Sequence, residues 1–168
     1  AIRSETKFFR MVAFGEALPS LRARITKDLK QQTLSRDKVI AIALSVMEQT
    51  LIRIGNASYE KEYGSYGLTT LKDRHVKLEG SDVRFSFKGK KGIYHDIMLH
   101  DRRLARLVKA CRDIPGKELF QYLDQQGERH SIDSGMVNDY LRETMDGDFS
   151  AKDFRTWIAT REYFKRML

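Results

Sequence analysis

The sequence is poor in cysteine, in proline and in long apolar runs, and each shortage excludes something. Cys111 is the only cysteine, so no intrachain disulfide can close and no cysteine-rich metal site can form; a reducing, intracellular setting is expected. Two prolines beside a hydrophobic content of 41% argue against a disordered chain. No apolar stretch is long enough to cross a bilayer. The opening A-I-R-S-E-T-K puts charge where a secretory signal needs an apolar segment, so none is expected there. A glycine-rich phosphate loop of the G-x-x-x-x-G-K-S type is missing, which speaks against ATP. His75, His95, His100 and His130 show no metal-ligand spacing with a carboxylate or cysteine cluster, so neither a metal nor another cofactor is expected. Repeats, low-complexity tracts and Pro/Gly/Ser-rich linkers are also missing, and the 168 residues read as one domain.

What is present is positive charge. Lys and Arg number 31 against 23 Asp and Glu, a formal net charge of +8, and such a balance favours a polyanionic partner, nucleic acid ahead of a membrane surface. Phe8, Met11, Val12, Leu18, Leu21, Ile25 and Leu29 recur at helical spacing from Ser4 to about Leu34, with Pro19 predicted to start a second helix after Gly15 to Leu18. Arg22, Arg24, Lys27 and Lys30 read as its solvated basic face. Ser35 is a good N-cap for a helix carrying Val39, Ala43, Val46, Met47, Leu51 and Ile54 on its apolar face. Ala57 to Tyr63 reads as a short helix. Three strands follow, Arg74 to Leu78, Val83 to Phe87 and Ile93 to Leu99, joined by turns at Glu79-Gly80-Ser81-Asp82 and Gly89-Lys90-Lys91-Gly92 into an antiparallel meander. A basic amphipathic helix runs from Arg102 to Ile114, where Pro115-Gly116 ends it. Asp133 or Ser134 caps a helix through Met145, and Ser150 caps a last one from Ala151 to the end. The predicted class is α+β, mainly α, with a small three-stranded antiparallel sheet.

The chain is organised around Leu51 to Val76. Arg53 is predicted to sit in the last turn of its helix, where the dipole favours a cation, with Gly55-Asn56 as the stop. On local chemistry alone Arg53 reads as a helix-capping residue. The run R-I-G-N with Tyr59, then Y-G-L-T-T-L-K from Tyr66 to Lys72 with His75, resembles the core of the poxviral and bacterial type IB DNA topoisomerases. F-K-G-K at 87 to 90 and A-K-D-F-R-T-W from Ala151 to Trp157 agree with it in order and approximate spacing, so the resemblance covers nearly the whole chain, from about Phe8 to Trp157.

Breaking and rejoining a phosphodiester without a metal passes through a phosphorane with added charge on its non-bridging oxygens, and planar, permanently charged guanidinium groups suit that charge. The leaving 5′ oxygen needs a proton, which a lysine among other cations can give near neutral pH. The resemblance assigns the first role to Arg53 and Arg155 and the second to Lys90, directly after Phe-x-Gly, with Lys91 as the alternative one residue on. Taken alone, a lysine in a G-K-K-G turn reads as a solvated turn residue. Lys152 matches a supporting lysine of the family; tyrosine recombinases, which share the fold and mechanism, place histidine there as H-x-x-R. Tyr59, Thr70 and Lys72 match or neighbour positions that touch DNA, although Tyr59 reads equally well as a packing residue.

The resemblance thus implies relaxation of supercoiled double-stranded DNA by transient nicking through a 3′-phosphotyrosyl intermediate, by a monomer independent of ATP and metal. A tyrosine recombinase is the nearer alternative and a non-catalytic basic DNA-binding module the alternative of another class. The family's histidine and its nucleophilic tyrosine lie farther beyond the second arginine than Leu168, which follows Arg155 by 13 residues. Tyr163 stands only eight residues on and is not expected to be the nucleophile. The chain is therefore expected to be the catalytic domain, incomplete at its C-terminus and without the family's N-terminal β domain.

Overall fold

The structure, a computed structural model, describes the backbone from Ile2 to Leu168 and the side chains from Thr6 onward. The first element is α1 (Ile2–Leu29), one helix with Pro19 inside it rather than two helices meeting there. A proline in a helix interior costs about 3 kcal/mol through its lost N–H and its clash with the preceding turn. Phe14, Leu18 and Leu21 on either side are buried in the core, and burying one such side chain contributes roughly 1.5–3 kcal/mol. Packing on both sides of the proline therefore outweighs the break. The expected solvated basic face is also corrected in part, because Arg22 pairs with Glu48 at 2.7 Å and Arg24 with Asp28 and Asp37 at 2.8 and 2.9 Å.

Next comes α2 (Arg36–Thr50), capped by the Ser35 hydroxyl as expected. Val39 to Leu44, Val46 and Met47 are all buried, so this helix is apolar nearly all round and forms the axis of the molecule. It stops four residues before the expected Gly55-Asn56 stop. Leu51 takes a left-handed conformation (φ 60°, ψ 16°), its N–H returning to the Met47 carbonyl. The helical spacing of Leu51 and Ile54 misled because residues 53 and 54 bond elsewhere: Leu68 N donates to Arg53 O and Thr69 N to Ile54 O, each at 2.8 Å.

The short helix α3 (Ala57–Tyr63) follows, capped by Asn56 and ended by Gly64. Strands β1 (Val76–Glu79), β2 (Asp82–Lys88) and β3 (Tyr94–Leu99) form the expected meander in the order β1-β2-β3. Val83, Phe85 and Phe87 point into the core and the residues between them do not, the alternation a half-buried strand requires. Helix α4 (Arg102–Arg112) is capped by Asp101. A two-stranded hairpin, β4 (Gln121–Leu123) with β5 (Arg129–Ser131), was not expected. Its strands have three residues each and no apolar alternation. The chain closes with α5 (Ser134–Met145), capped by Asp133, and α6 (Ala151–Met167), capped by Ser150. Among the described residues no helix is long and apolar enough to cross a membrane.

Polar ties fix the helices to one another. Asp28, 2% exposed, accepts from the Tyr140 hydroxyl at 2.8 Å, from Arg24 and from Gln31, joining α1 to α5. Glu48 of α2 accepts from Arg22 of α1 and Arg161 of α6; burial would raise its pKa, but the two guanidinium groups outweigh that and hold it below the usual range.

Candidate active site

The sequence Y-G-L-T-T folds into a tight turn because Thr70 closes it: its hydroxyl accepts from Gly67 N at 3.0 Å and donates to Gly67 O at 3.2 Å. That turn lies directly against the segment carrying Arg53. A Cβ on Gly67 would stand 2.4 Å from the Gly55 Cα and 2.6 Å from the Arg53 carbonyl oxygen, and one on Gly55 would stand 2.8 Å from the Gly67 Cα. Only glycine at both positions permits the approach, and Gly55 also has a positive φ of 83°. The two glycines of R-I-G-N and Y-G-L-T-T are thus one packing contact that locks the backbone beside Arg53.

Helix α6 is set with equal care. Ser150 and Asp153 form a reciprocal capping box, Asn138 of α5 accepts from Ala151 N at 2.9 Å, and Arg10 of α1 reaches Asp153 at 2.7 Å. Burial alone would raise the Asp153 pKa; Arg10 and the Ser150 cap reverse this, so it stays a carboxylate. Lys152 and Arg155 leave this fixed helix on the side facing Arg53.

The third part is the β2–β3 hairpin. At Gly89 the His95 ring lies close over the backbone, so that a Cβ there would stand 2.6 Å from it and the ring would have to shift; the ring also packs 5.2 Å from Phe87. Beyond it Lys90 opens a single helical turn and Lys91 is left-handed, with a φ of 62°.

These three parts enclose a cleft of about 1110 Å³. Arg53, Lys88, Lys90, Lys91, Lys152 and Arg155 line it, with no aspartate or glutamate among the lining residues. Among the described residues, none of these six cations pairs with a carboxylate. Arg155 donates from Nε to the Leu51 carbonyl at 2.7 Å, and its pKa is lowered by burial and then by the charge of Arg53. Two guanidinium groups close enough to repel, without an internal counterion, suit a ligand that brings at least one negative charge.

Tyr59 joins them in the cleft wall, 5.8 Å ring to ring from Tyr63. Thr70 and Lys72 do not. Thr70 is buried and its hydroxyl is taken by Gly67, and the Lys72 ammonium is buried between Glu60 at 2.8 Å and Glu118 at 3.2 Å. Neither is offered to a phosphate, which corrects the expectation of DNA contacts there. Tyr163 lies outside the cleft-lining set. Sequence reasoning missed Tyr63, Lys88 and His95; Tyr63 was visible as the residue one helical turn after Tyr59, and Lys88 as a neighbour in the basic hairpin. It also missed that the β4–β5 hairpin gathers ligand atoms of Asp124, Glu128 and His130 within 4.8 Å of one another. In that group the His130 ring bonds Asp124 at 2.7 Å.

The chain is similar to known proteins along nearly its whole length. The family model described as eukaryotic DNA topoisomerase I, catalytic core, matches residues 2–168. The mimivirus DNA topoisomerase 1B is 27% identical over 166 residues, covering 96% of this chain and 49% of that protein. The vaccinia virus DNA topoisomerase 1B is 28% identical over 105 residues, 61% of this chain and 33% of that protein. The carrot (Daucus carota) DNA topoisomerase 1 is 30% identical over 140 residues, 82% and 17%. The chain spans about half the length of the mimivirus protein and less of the other two. Among solved structures, the XerH site-specific recombinase bound to its difH substrate shares the fold, with a TM-score of 0.59 at 20% identity over 91% of this chain and 43% of that one. With its mainly helical body, its small antiparallel sheet and a family model that matches residues 2–168, the chain belongs to the family of the eukaryotic DNA topoisomerase I catalytic core.

Proposed function

We propose that this domain carries the phosphoryl-transfer site of a type IB topoisomerase, which nicks one strand of duplex DNA through a 3′-phosphotyrosyl intermediate, lets supercoils relax and reseals the strand. The observation that carries the reading is the cleft itself: six cations and no carboxylate, with Arg53 and Arg155 both in its wall and the charge of Arg53 lowering the pKa of Arg155. Arg53 and Arg155 stabilise the charge that develops on the phosphorane's non-bridging oxygens. Lys90 gives its proton to the departing 5′ oxygen, and takes one back during resealing. Lys152, one helical turn before Arg155, adds positive charge along the scissile strand. Tyr59 and Tyr63 form the wall against which the DNA rests. The attacking phenol is the family's tyrosine, which the sequence resemblance puts C-terminal to Arg155. The chemistry draws on neither ATP nor a metal, because transesterification conserves the energy of the phosphodiester and the guanidinium groups supply the positive charge.

Relaxation of a negatively supercoiled plasmid by the full-length protein, in EDTA and without nucleotide, tests the reading. Relaxation is expected, with Arg155→Ala slowing it by about 10²–10³-fold, the usual cost of losing a transition-state donor. Activity that needs paired target sites would make the protein a recombinase. Full activity in Arg155→Ala would reduce the domain to a binding module.

A further inference from the structure

Helix α3 forms part of the cleft wall, yet it is the one α-helix among the described residues with no buried residue. Seven residues are too few for a helix to persist in water without help. Its end caps, the Asn56 carboxamide on Ser58 N and Tyr59 N and the Gly64 N–H on Glu60 O, belong to the helix itself and do not fix where it points. A firm external hold comes from Lys72. The Lys72 ammonium reaches Glu60 of α3 at 2.8 Å and Glu118 at 3.2 Å, and Glu118 in turn accepts from Ser131 of β5 at 2.9 Å.

The base of this lysine is rigid. Its backbone pairs with Glu118, Leu119 N donates to Leu71 O at 2.8 Å, and Leu71, Leu119 and Phe120 are fully buried. Lys72 is itself only 5% exposed. Burial would lower the pKa of such an ammonium, but hydrogen bonds to Glu60 and Glu118 outweigh it and the group stays charged. A buried charge with two partners is directional: removing one partner leaves the others desolvated and unmatched, which is far more disruptive than losing a surface pair.

We infer that Lys72 is a positioning residue, which through Glu60 docks α3 onto the core and so sets where Tyr59 and Tyr63 stand in the cleft. What the two tyrosines then touch rests on the proposed function; the docking does not. Glu60→Gln tests it, since Glu60 lies on a helix with no buried residue and its replacement leaves Lys72 the Glu118 carboxylate, whereas Lys72→Met strips both carboxylates of their partner and risks unfolding the protein. Amide hydrogen exchange of Lys61 to Gly64 is expected to speed up at least tenfold in Glu60→Gln while α2 stays protected, charged hydrogen bonds being worth about that much or more. Affinity for a duplex oligonucleotide, read by fluorescence anisotropy, is expected to fall about tenfold, and Glu60→Gln is expected to add little to Tyr63→Ala. Unchanged exchange in α3 overturns the docking. Faster exchange with unchanged DNA affinity overturns the positioning role. If the wild-type protein binds no duplex, the proposed function fails, while exchange still decides whether the latch exists.

Discussion

Arg155 Nε donates to the carbonyl oxygen of Leu51 at 2.7 Å across 104 residues of sequence, and Leu51 is the residue whose left-handed conformation ends α2. The two facts belong together. A leucine in that conformation costs roughly 1–2 kcal/mol. It turns a helix-terminal carbonyl toward α6, and the bond to Arg155 satisfies it. With Nε spent on Leu51, the two terminal nitrogens of the guanidinium remain for the cleft.

Arg155→Lys is therefore not a conservative change. A lysine keeps the charge but cannot hold Leu51 with one nitrogen and present a planar pair of donors with the others. In the full-length protein, single-turnover cleavage is expected to slow by about 10²–10³-fold, with a thermal midpoint little changed. Near-normal cleavage by the lysine variant would show that charge alone suffices.

Gly67→Ala probes the contact that locks Arg53. The new Cβ would meet backbone atoms of Gly55 at 2.4 Å, and backbone cannot rotate away as a side chain can. Forcing such an overlap typically costs about 1–3 kcal/mol, and denaturant unfolding should register that loss. Gly64→Ala serves as the control: its Cβ would meet nothing within 4 Å, so only the strain of its positive φ of 62° is felt. Equal losses in both variants would remove the Gly55–Gly67 approach as the cause.

Acid should destabilise the domain through His75. Burial, then the charges of Arg74 and Lys72, push its pKa from 6.5 down to about 4, with Glu60 opposing. Its Nδ1 accepts from Lys72 N at 2.9 Å and its ring packs 4.4 Å from Tyr66, so the neutral form is the one the fold accommodates. A depressed pKa in the folded state means the stabilisation is complete above about 6.5 and is lost as pH falls toward 4. Its full size is about 3 kcal/mol. Unfolding free energies from pH 7.5 to 4 should show that decline, and His75→Gln should flatten it. A decline of equal size in the variant would assign it to other groups.

Much of this was legible in the sequence, for physical reasons that differ by element. Ser35, Asp133 and Ser150 announced their helices because an N-cap is a local bond between a side chain and a backbone three residues on. The meander was legible in the alternation of Val83, Phe85 and Phe87. Pro19 and Leu51 misled, because in both a tertiary interaction decides against local preference: core burial around the proline, and the pairing of residues 53 and 54 with 68 and 69 beyond the leucine. The cleft cations Arg53, Lys90, Lys152 and Arg155 were found through motif resemblance, whereas Lys72 was misread. No local pattern says that Glu60 and Glu118 converge on one ammonium.

Lys90 and Lys91 both line the cleft, and the chemistry can tell them apart where geometry does not. A general acid is needed only when the leaving group is a poor one. An ordinary 5′ oxygen leaves as an alkoxide unless protonated, so Lys90→Ala in the full-length protein is expected to slow cleavage by about 10²–10⁴-fold. Sulfur in place of that bridging oxygen leaves as a stable thiolate and needs no proton, so the same variant should cleave the sulfur-substituted strand at close to the wild-type rate. A lysine that only binds phosphate would impair both substrates alike, since the negative charge it neutralises is the same in each. Lys91→Ala is expected to behave in that second way. Rescue by sulfur in Lys91→Ala and not in Lys90→Ala would move the acid by one residue, to the left-handed position of the turn; rescue in neither would take the proton donor out of the hairpin altogether.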